Sequence, residues 1–348
     1  MADFSHYGGV SPDWERVIAS IPPEQLAGAI PVAVTLDEPF LLKLQEKTNR
    51  ERATRARSAL NDLETVAVND YTCSTIDNGS VPIRVYRPAL NQKNRELPVY
   101  IWFHGGGFLF GSLDGEDAHC TQIVLDHAVI VVNICYRHTP RWKWPIQHHD
   151  AMRAVDWIFE NMPMLGGEAT KVIVAGRSAG ALVAASTVLG DLTAVSPHGR
   201  SRFCGQILDI PWLCHSAAFP YELIVKGKDS YSENLTAPIL PKGLLHLFET
   251  LIAPDPLDST FSVLLAGEKE VRGLAPTHFH VAGRDILRDQ GILFQQKLQQ
   301  CGVSTTINIY PGVPHGFMYF TDLEASQQWA RDHGEAVHRL LNKQNGRP

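Results

Sequence analysis

The segment KVIVAGRSAGALVAAS constrains the fold more than any other part of this 348-residue chain. Its first half is apolar and β-branched, as buried strands are, and its second half carries the small residues of a closely packed helix. Ser178 lies between the two halves, and Gly176 and Gly180 are each two residues away from it. This spacing predicts a nucleophilic serine at positive φ on a sharp strand-to-helix turn, where the glycines let both elements approach. The alternative is an ordinary turn in which the serine only caps the helix.

Short apolar runs alternate with helical patterns along the chain, and several are continuously β-branched, as strands covered on both faces are. This predicts an α/β fold with a mostly parallel, eight-stranded sheet. Two runs that alternate apolar and polar residues flank DNGS (77–80) and predict an antiparallel hairpin. A helix is predicted over 150–162, with Asp150 as its N-cap. The other predicted strands are 98–103, 128–136, 171–176, 205–210, 277–283 and 305–310.

Composition excludes some classes of function. A formal net charge of -6 and a pI near 6.2 argue against a nucleic-acid partner, and the basic stretch 50–57 is interpreted as a solvated helix face. No window approaches a membrane-spanning length, so no stable membrane insertion is expected. The start of the chain lacks a signal-peptide pattern, and the six cysteines show no CxxC spacing. These features predict free thiols in a cytoplasmic protein and leave monomer and homodimer open.

A serine nucleophile requires an oriented base, and position selects one among 15 histidines. Asp285 and His315 each follow a predicted strand, and the carboxyl ends of parallel strands share one edge. The intervening helix rises ~24 Å and the next strand returns ~26 Å, so the two side chains can meet. Asp289 is the competing acid, but it falls about one turn into the helix and is expected to point away. The histidines within the strand, His278 and His280, are interpreted as core or edge residues rather than as bases.

Two regions interrupt the alternation of strands and helices. Residues 1 to about 60 and about 213–265 are predicted to be helical and to form a cap over one edge of the sheet. The catalytic core then comprises about 61–212 and 266–348, within a single domain spanning 1–348. The adjacent histidines of HHD (148–150) point in different directions, so this tripeptide is interpreted as a helix start rather than a metal site.

Four motifs in this order, HGGGF (104–108), GRSAG (176–180), DILRDQG (285–291) and HGF (315–317), resemble the hormone-sensitive-lipase-like family of α/β-hydrolases. The resemblance covers about residues 80–340. It implies a serine esterase with a helical cap, no metal and no organic cofactor. The resemblance implies that the catalytic residues are Ser178, Asp285 and His315. It also implies that the oxyanion hole is formed by the backbone N–H groups of Gly105, Gly106 and Ala179.

The expected substrate is a small-molecule ester with a short or medium acyl chain. Arg177 departs from the family, which usually has Asp there; it could pair with a neighbouring carboxylate or bind an acidic substrate. The candidate substrate-binding residues are Phe108, Arg177 and Trp212. His104 is interpreted as orienting the glycine loop. A lyase or dehydratase, a formamidase-like amidase and a non-catalytic small-molecule receptor remain alternatives on the same site.

Overall fold

Eight strands form one sheet in the computed structural model, which describes residues 1–21, 37–60, 65–89, 95–195 and 201–342. The strand order is β1-β2-β4-β3-β5-β6-β7-β8; β1 to β2 and β2 to β4 are antiparallel, and the other pairs are parallel. The strands are β1 (Val66–Ser74), β2 (Ser80–Pro88), β3 (Leu97–Phe103), β4 (Ile130–Ile134), β5 (Gly167–Arg177), β6 (Gly205–Asp209), β7 (Thr277–Arg284) and β8 (Thr305–Pro314).

Helices connect the parallel strands. The α-helices are α1 (Pro12–Ser20), α2 (Glu38–Ala59), α3 (Asp117–His127), α4 (Ile146–Glu160), α5 (Met162–Leu165), α6 (Ala179–Val195), α7 (Ser230–Glu233), α8 (Lys242–Ile252), α9 (Glu268–Val271), α10 (Arg288–Gln300) and α11 (Glu324–Asn342). Short 3-10 helices cover Ser5–Tyr7, Asp114–Glu116, Ser216–Ala218, Tyr221–Leu223, Val263–Leu265 and Phe317–Tyr319.

The central strands of the sheet are buried on both faces. Alternate side chains of such a strand point to opposite sides of the sheet and join different cores. On β5, Val172 and Val174 join a large core with helices α4, α6 and α10. Ile173 and Ala175 join a second core with helices α3 and α11. This two-sided burial explains why the central strands are continuously apolar in the sequence.

The predicted α/β fold, with its hairpin and eight strands, is confirmed, and most differences are in strand length. Strand β4 is shorter than predicted, whereas β5 and β8 are longer. The prediction that Asp150 caps a helix is wrong. Helix α4 begins four residues earlier, and the buried Asp150 carboxylate instead accepts a hydrogen bond of 2.6 Å from Arg137 Nη2. Burial of this carboxylate beside a cation overrides its local preference for a helix start.

The predicted cap regions contain α1 and α2 at the N-terminus and α7 and α8 in the later segment. Residues 22–36 of the predicted cap lie outside the described residues. The division into cap and core stays a prediction. All six cysteines are free, as expected from their spacing.

Candidate active site

Ser178 occupies the turn between β5 and α6. Its φ of +57° lies in the left-handed region, which non-glycine residues adopt at a cost, and its N–H donates to the Asp209 carbonyl at 2.8 Å. A Cβ on Gly176 would overlap the carbonyl oxygen of Gly180, and one on Gly180 would overlap that of Phe103. The flanking glycines are therefore required by close approach of strand and helix, as the sequence spacing indicated.

His315 and Asp285 meet Ser178 above the carboxyl edge of the sheet. His315 directly follows β8, and its Nε2 lies 2.9 Å from Ser178 Oγ. Asp285 directly follows β7, and its Oδ2 lies 2.7 Å from His315 Nδ1. Because an ionised carboxylate only accepts hydrogen bonds, Nδ1 carries the proton and Nε2 is free to accept the serine hydroxyl proton. The arrangement can generate a serine nucleophile.

Asp289 is turned away from this chain of hydrogen bonds. Its carboxylate accepts from Arg288 Nε and from the Ser230 backbone N–H, each at 2.7 Å. Asp285 instead uses its second oxygen, Oδ1, to accept from the Leu287 N–H at 2.9 Å. That contact fixes the carboxylate plane that faces His315.

The glycine loop after β3 lies against the serine turn. A Cβ on Gly105 would be only 2.9 Å from the Arg177 carbonyl oxygen and 3.5 Å from Ser178 Cβ. Gly106 has a φ of +130°, and a Cβ there would overlap the carbonyl oxygen of Phe110. Only glycine permits this backbone path, which keeps Gly105 and Gly106 beside the nucleophile. Ala179 follows the serine at the N-terminus of α6, where backbone N–H groups lack helical partners.

Helix α2 holds the same loop from the other side, a contact that sequence reasoning missed. Asn49 makes two hydrogen bonds to Gly111, accepting from its N–H at 2.8 Å and donating to its carbonyl at 2.9 Å. Arg52 Nη1 donates to the Gly105 carbonyl at 3.3 Å, and Gln45 Nε2 donates to the Leu109 carbonyl. These three residues are spaced by four and three positions, so they share one helix face. This spacing of polar residues was the only feature of the sequence that could have indicated the contact between the helix and the loop.

Comparison with known proteins identifies the family. Residues 100–319 match the family model described as alpha/beta hydrolase fold, which is more than half of the chain. The carboxylesterase NlhH of Mycobacterium tuberculosis is 30% identical over 244 residues, covering 69% of this chain and 72% of that protein. The ethyl acetate hydrolase of Pseudomonas putida is 30% identical over 252 residues, covering 72% and 76%. This chain belongs to the hormone-sensitive-lipase-like family of α/β-hydrolases.

The fold is shared over almost the whole chain with a solved structure. The crystal structure of vibralactone cyclase has a TM-score of 0.84 and 26% identity, and the match covers 98% of this chain and 97% of that one. No helix among the described residues is long and apolar enough to cross a membrane.

Arg177, the position at which this chain departs from the family pattern, is a buried cation, and its contact with substrate stays a prediction. Its side chain is 4% exposed, and Nη2 lies 3.1 Å from the buried carboxylate of Asp209. The guanidinium also lies 5.0–5.2 Å from the ring centroids of Trp102, Tyr319 and Trp329, within range of cation–π attraction. The structure therefore contains the pairing of Arg177 with a neighbouring carboxylate, which was the first of the two interpretations.

The other two candidate substrate-binding residues belong to one buried aromatic group. Phe108 and Trp212 have ring centroids 5.6 Å apart, and Phe261 lies 5.4 Å from Trp212. The Trp212 backbone N–H donates to the Ser178 carbonyl at 3.3 Å, which places this group directly beside the serine turn. Their contact with substrate stays a prediction.

His104 is buried and touches the glycine loop, consistent with an orienting role. Its Nδ1 lies 3.1 Å from the Gly105 carbonyl, so a protonated Nδ1 donates to it. Burial lowers the pKa of His104 to about 4, which makes it a weaker proton acceptor than an ordinary histidine. The HHD tripeptide lies inside α4, which begins at Ile146, and not at the helix start that was expected. His148 Nδ1 lies 2.7 Å from Ser186 Oγ, a contact between α4 and α6.

Proposed function

We propose that this protein is a serine carboxylesterase that hydrolyses small-molecule esters through an acyl-enzyme. The observation that carries the proposal is the continuous hydrogen-bonded chain from Ser178 Oγ through His315 to Asp285, at 2.9 and 2.7 Å. The relatives named carboxylesterase and ethyl acetate hydrolase support the same class of reaction.

The chemistry proceeds in two balanced steps. Ser178 Oγ attacks the ester carbonyl while His315 Nε2 takes the hydroxyl proton, and the alcohol leaves with that proton as the acyl-enzyme forms. Water then attacks the acyl carbon, giving its proton to His315, and Ser178 regains a proton as the acid departs. Asp285 stabilises the imidazolium ion in both steps and does not itself take a proton.

Charge that develops on the carbonyl oxygen requires donors fixed before reaction. The N–H groups of Gly105, Gly106 and Ala179 are the proposed donors, and the approach of Gly105 to Ser178 supports this assignment. Removal of one such donor in other hydrolases costs about 3–4 kcal/mol in the transition state.

Short and medium acyl chains are the proposed substrates. The aromatic group beside the serine turn is closely packed, with Phe108 and Trp212 each at most 1% exposed. Such packing favours a small acyl group over a long lipid chain, because a longer chain would have to displace ring contacts. An activity series over acyl length would peak at short chains under this proposal.

The first experiment replaces the nucleophile. Ser178→Ala should lower kcat for p-nitrophenyl acetate by about 10⁴-fold or more, because the covalent route is lost. Ser186→Ala is the matched control, since Ser186 is a buried serine further along α6, and it should leave kcat near the wild-type value. Wild-type turnover by Ser178→Ala would contradict the proposal.

A cyclase is the second candidate, favoured by the structural match to vibralactone cyclase. In that case an internal hydroxyl, rather than water, would release the acyl group. Turnover in ¹⁸O-labelled water separates the two reactions, because hydrolysis places one solvent oxygen in the acid product and cyclisation places none.

The proposal extends to the setting of the enzyme. Six unpaired cysteines favour a reducing compartment, so we propose a cytoplasmic location. The enzyme would act as a monomer or a homodimer, which light scattering would distinguish.

A further inference from the structure

Three potential metal ligands converge beside the glycine loop, outside the hydrogen-bonded chain of the active site. His104 follows β3, and Cys135 and His138 follow β4, its parallel neighbour, so both segments leave the sheet at the same edge. The ligand atoms offered by these three residues all lie within 4.8 Å of one another.

The two imidazoles already have the separation that a shared metal ion requires. His104 Nε2 lies 3.3 Å from His138 Nε2. Two nitrogens at about 2.0–2.1 Å from a tetrahedral zinc ion are about 3.4 Å apart. A single ion between the rings would therefore need little movement of either side chain.

A second contact orients one ligand. The carbonyl of Gly105 lies 3.1 Å from His104 Nδ1 and accepts its proton, which leaves the lone pair of Nε2 directed at His138. Histidines that bind metals commonly donate their other ring N–H to a backbone carbonyl in this way. His104 is fully buried, whereas Cys135 and His138 are partly exposed residues.

We propose that His104 Nε2, Cys135 Sγ and His138 Nε2 form a binding site for a divalent transition-metal ion of the zinc class. Two imidazoles and one thiolate select such ions over Mg²⁺ and Ca²⁺, which prefer oxygen ligands. Binding displaces the thiol proton of Cys135 to solvent, and a water molecule completes four coordination. The ion is not a participant in ester hydrolysis.

Occupation of this site would stabilise the folded protein. The ion ties the segment after β4 to His104, and His104 holds the Gly105 carbonyl of the glycine loop. A ligand that binds only the folded state raises the melting temperature with increasing concentration. Zn²⁺ is therefore expected to raise the melting temperature of the metal-free enzyme.

Cobalt provides the direct test, because a thiolate bound to Co²⁺ gives a charge-transfer band in the near ultraviolet. Untagged, metal-free protein titrated with Co²⁺ should develop this band together with the visible bands of tetrahedral cobalt. Cys135→Ser should abolish the charge-transfer band. Cys204→Ser is the matched control, since Cys204 is also a partly exposed free thiol, and it should retain the band.

A second variant keeps the test decisive if Cys135→Ser does not fold. His138→Ala should weaken Co²⁺ binding at least tenfold, because it removes one of three protein ligands. A titration without the thiolate band would overturn the proposal, as would a band that survives Cys135→Ser. Tetrahedral cobalt bands without a thiolate component would also overturn it and would point to the buried group of Asp209, His280 and His333.

Discussion

At the residue scale, a single carboxylate orients the imidazole of His315. Asp285 accepts from His315 Nδ1 and is itself fixed by the Leu287 N–H. Asp289 lies four residues later and is also buried, yet its contacts are with Arg288 and Ser230. Two neighbouring acids thus have separate tasks, one at the site and one in packing.

Asp285→Asn should lower kcat by about 10³–10⁴-fold, because an amide in place of the carboxylate favours the wrong imidazole tautomer. The matched variant Asp289→Asn should leave kcat near the wild-type value and lower the unfolding free energy by about 1–3 kcal/mol. Steady-state kinetics and urea unfolding of both variants measure the two effects. A larger loss of kcat in Asp289→Asn than in Asp285→Asn would contradict the assignment.

Residues tied to strand ends were predictable from the sequence, because strand direction fixes where the next residue emerges. Ser178, Asp285 and His315 all belong to this class. The environment of Arg177 could not be predicted from the sequence, because its partner Asp209 is 32 positions away and only the sheet brings the two residues together. Long-range pairing of buried charges has no local sequence signal.

At the element scale, helix α2 supports the glycine loop through Gln45, Asn49 and Arg52. The sequence predicted a helix and interpreted 50–57 as a solvated face. This interpretation holds for the exposed Arg50 but not for Arg52, which donates to the Gly105 carbonyl. Positively charged and amide side chains do not reveal whether they contact water or a distant backbone carbonyl. The contacts between helix α2 and the glycine loop could be recognised only from the structure.

Asn49→Ala should lower kcat about tenfold, because small displacements of positioning groups are costly to reaction rate. It should also lower the unfolding free energy by about 1–2 kcal/mol, since the Gly111 N–H loses its acceptor. Lys47→Ala, on the exposed side of the same helix, is the control and should change neither quantity. Equal kcat in the two variants would show that α2 does not position the loop.

At the scale of the whole molecule, many histidines are buried in the neutral form. Burial lowers the pKa of His104 and His148 to about 4 and that of His278 to about 3. The unfolded chain binds protons at these residues near pH 6.5, whereas the folded protein does so only well below that pH. Their contribution to stability is therefore complete above pH 6.5 and is lost as the pH falls toward 4.

The unfolding free energy should accordingly decrease between pH 7 and pH 5. Each neutral buried histidine contributes a slope of up to about 1.4 kcal/mol per pH unit in this window. Urea unfolding at pH 7.5, 6.5 and 5.5 measures the slope. His148→Gln should reduce it relative to wild type, and a stability that is flat or rises toward pH 5.5 would be inconsistent with neutral burial.

The sheet itself was largely predictable, because its central strands are buried on both faces and are continuous apolar runs in the sequence. The exact ends were not, since β8 continues through PGVP to Pro314, immediately before His315. Proline and glycine usually indicate a turn, but here pairing with β7 continues to Arg284 and Pro314 despite an irregularity. Tertiary pairing overrode the local signal.

The central claim is that Ser178 is the nucleophile of an ester hydrolase, and covalent labelling tests it most directly. A fluorophosphonate should inactivate the enzyme in proportion to one phosphonyl group bound per active site, and peptide mass spectrometry should locate that group on Ser178 Oγ. Inactivation with the label on another residue, or full esterase activity in protein labelled completely at Ser178, would contradict the account.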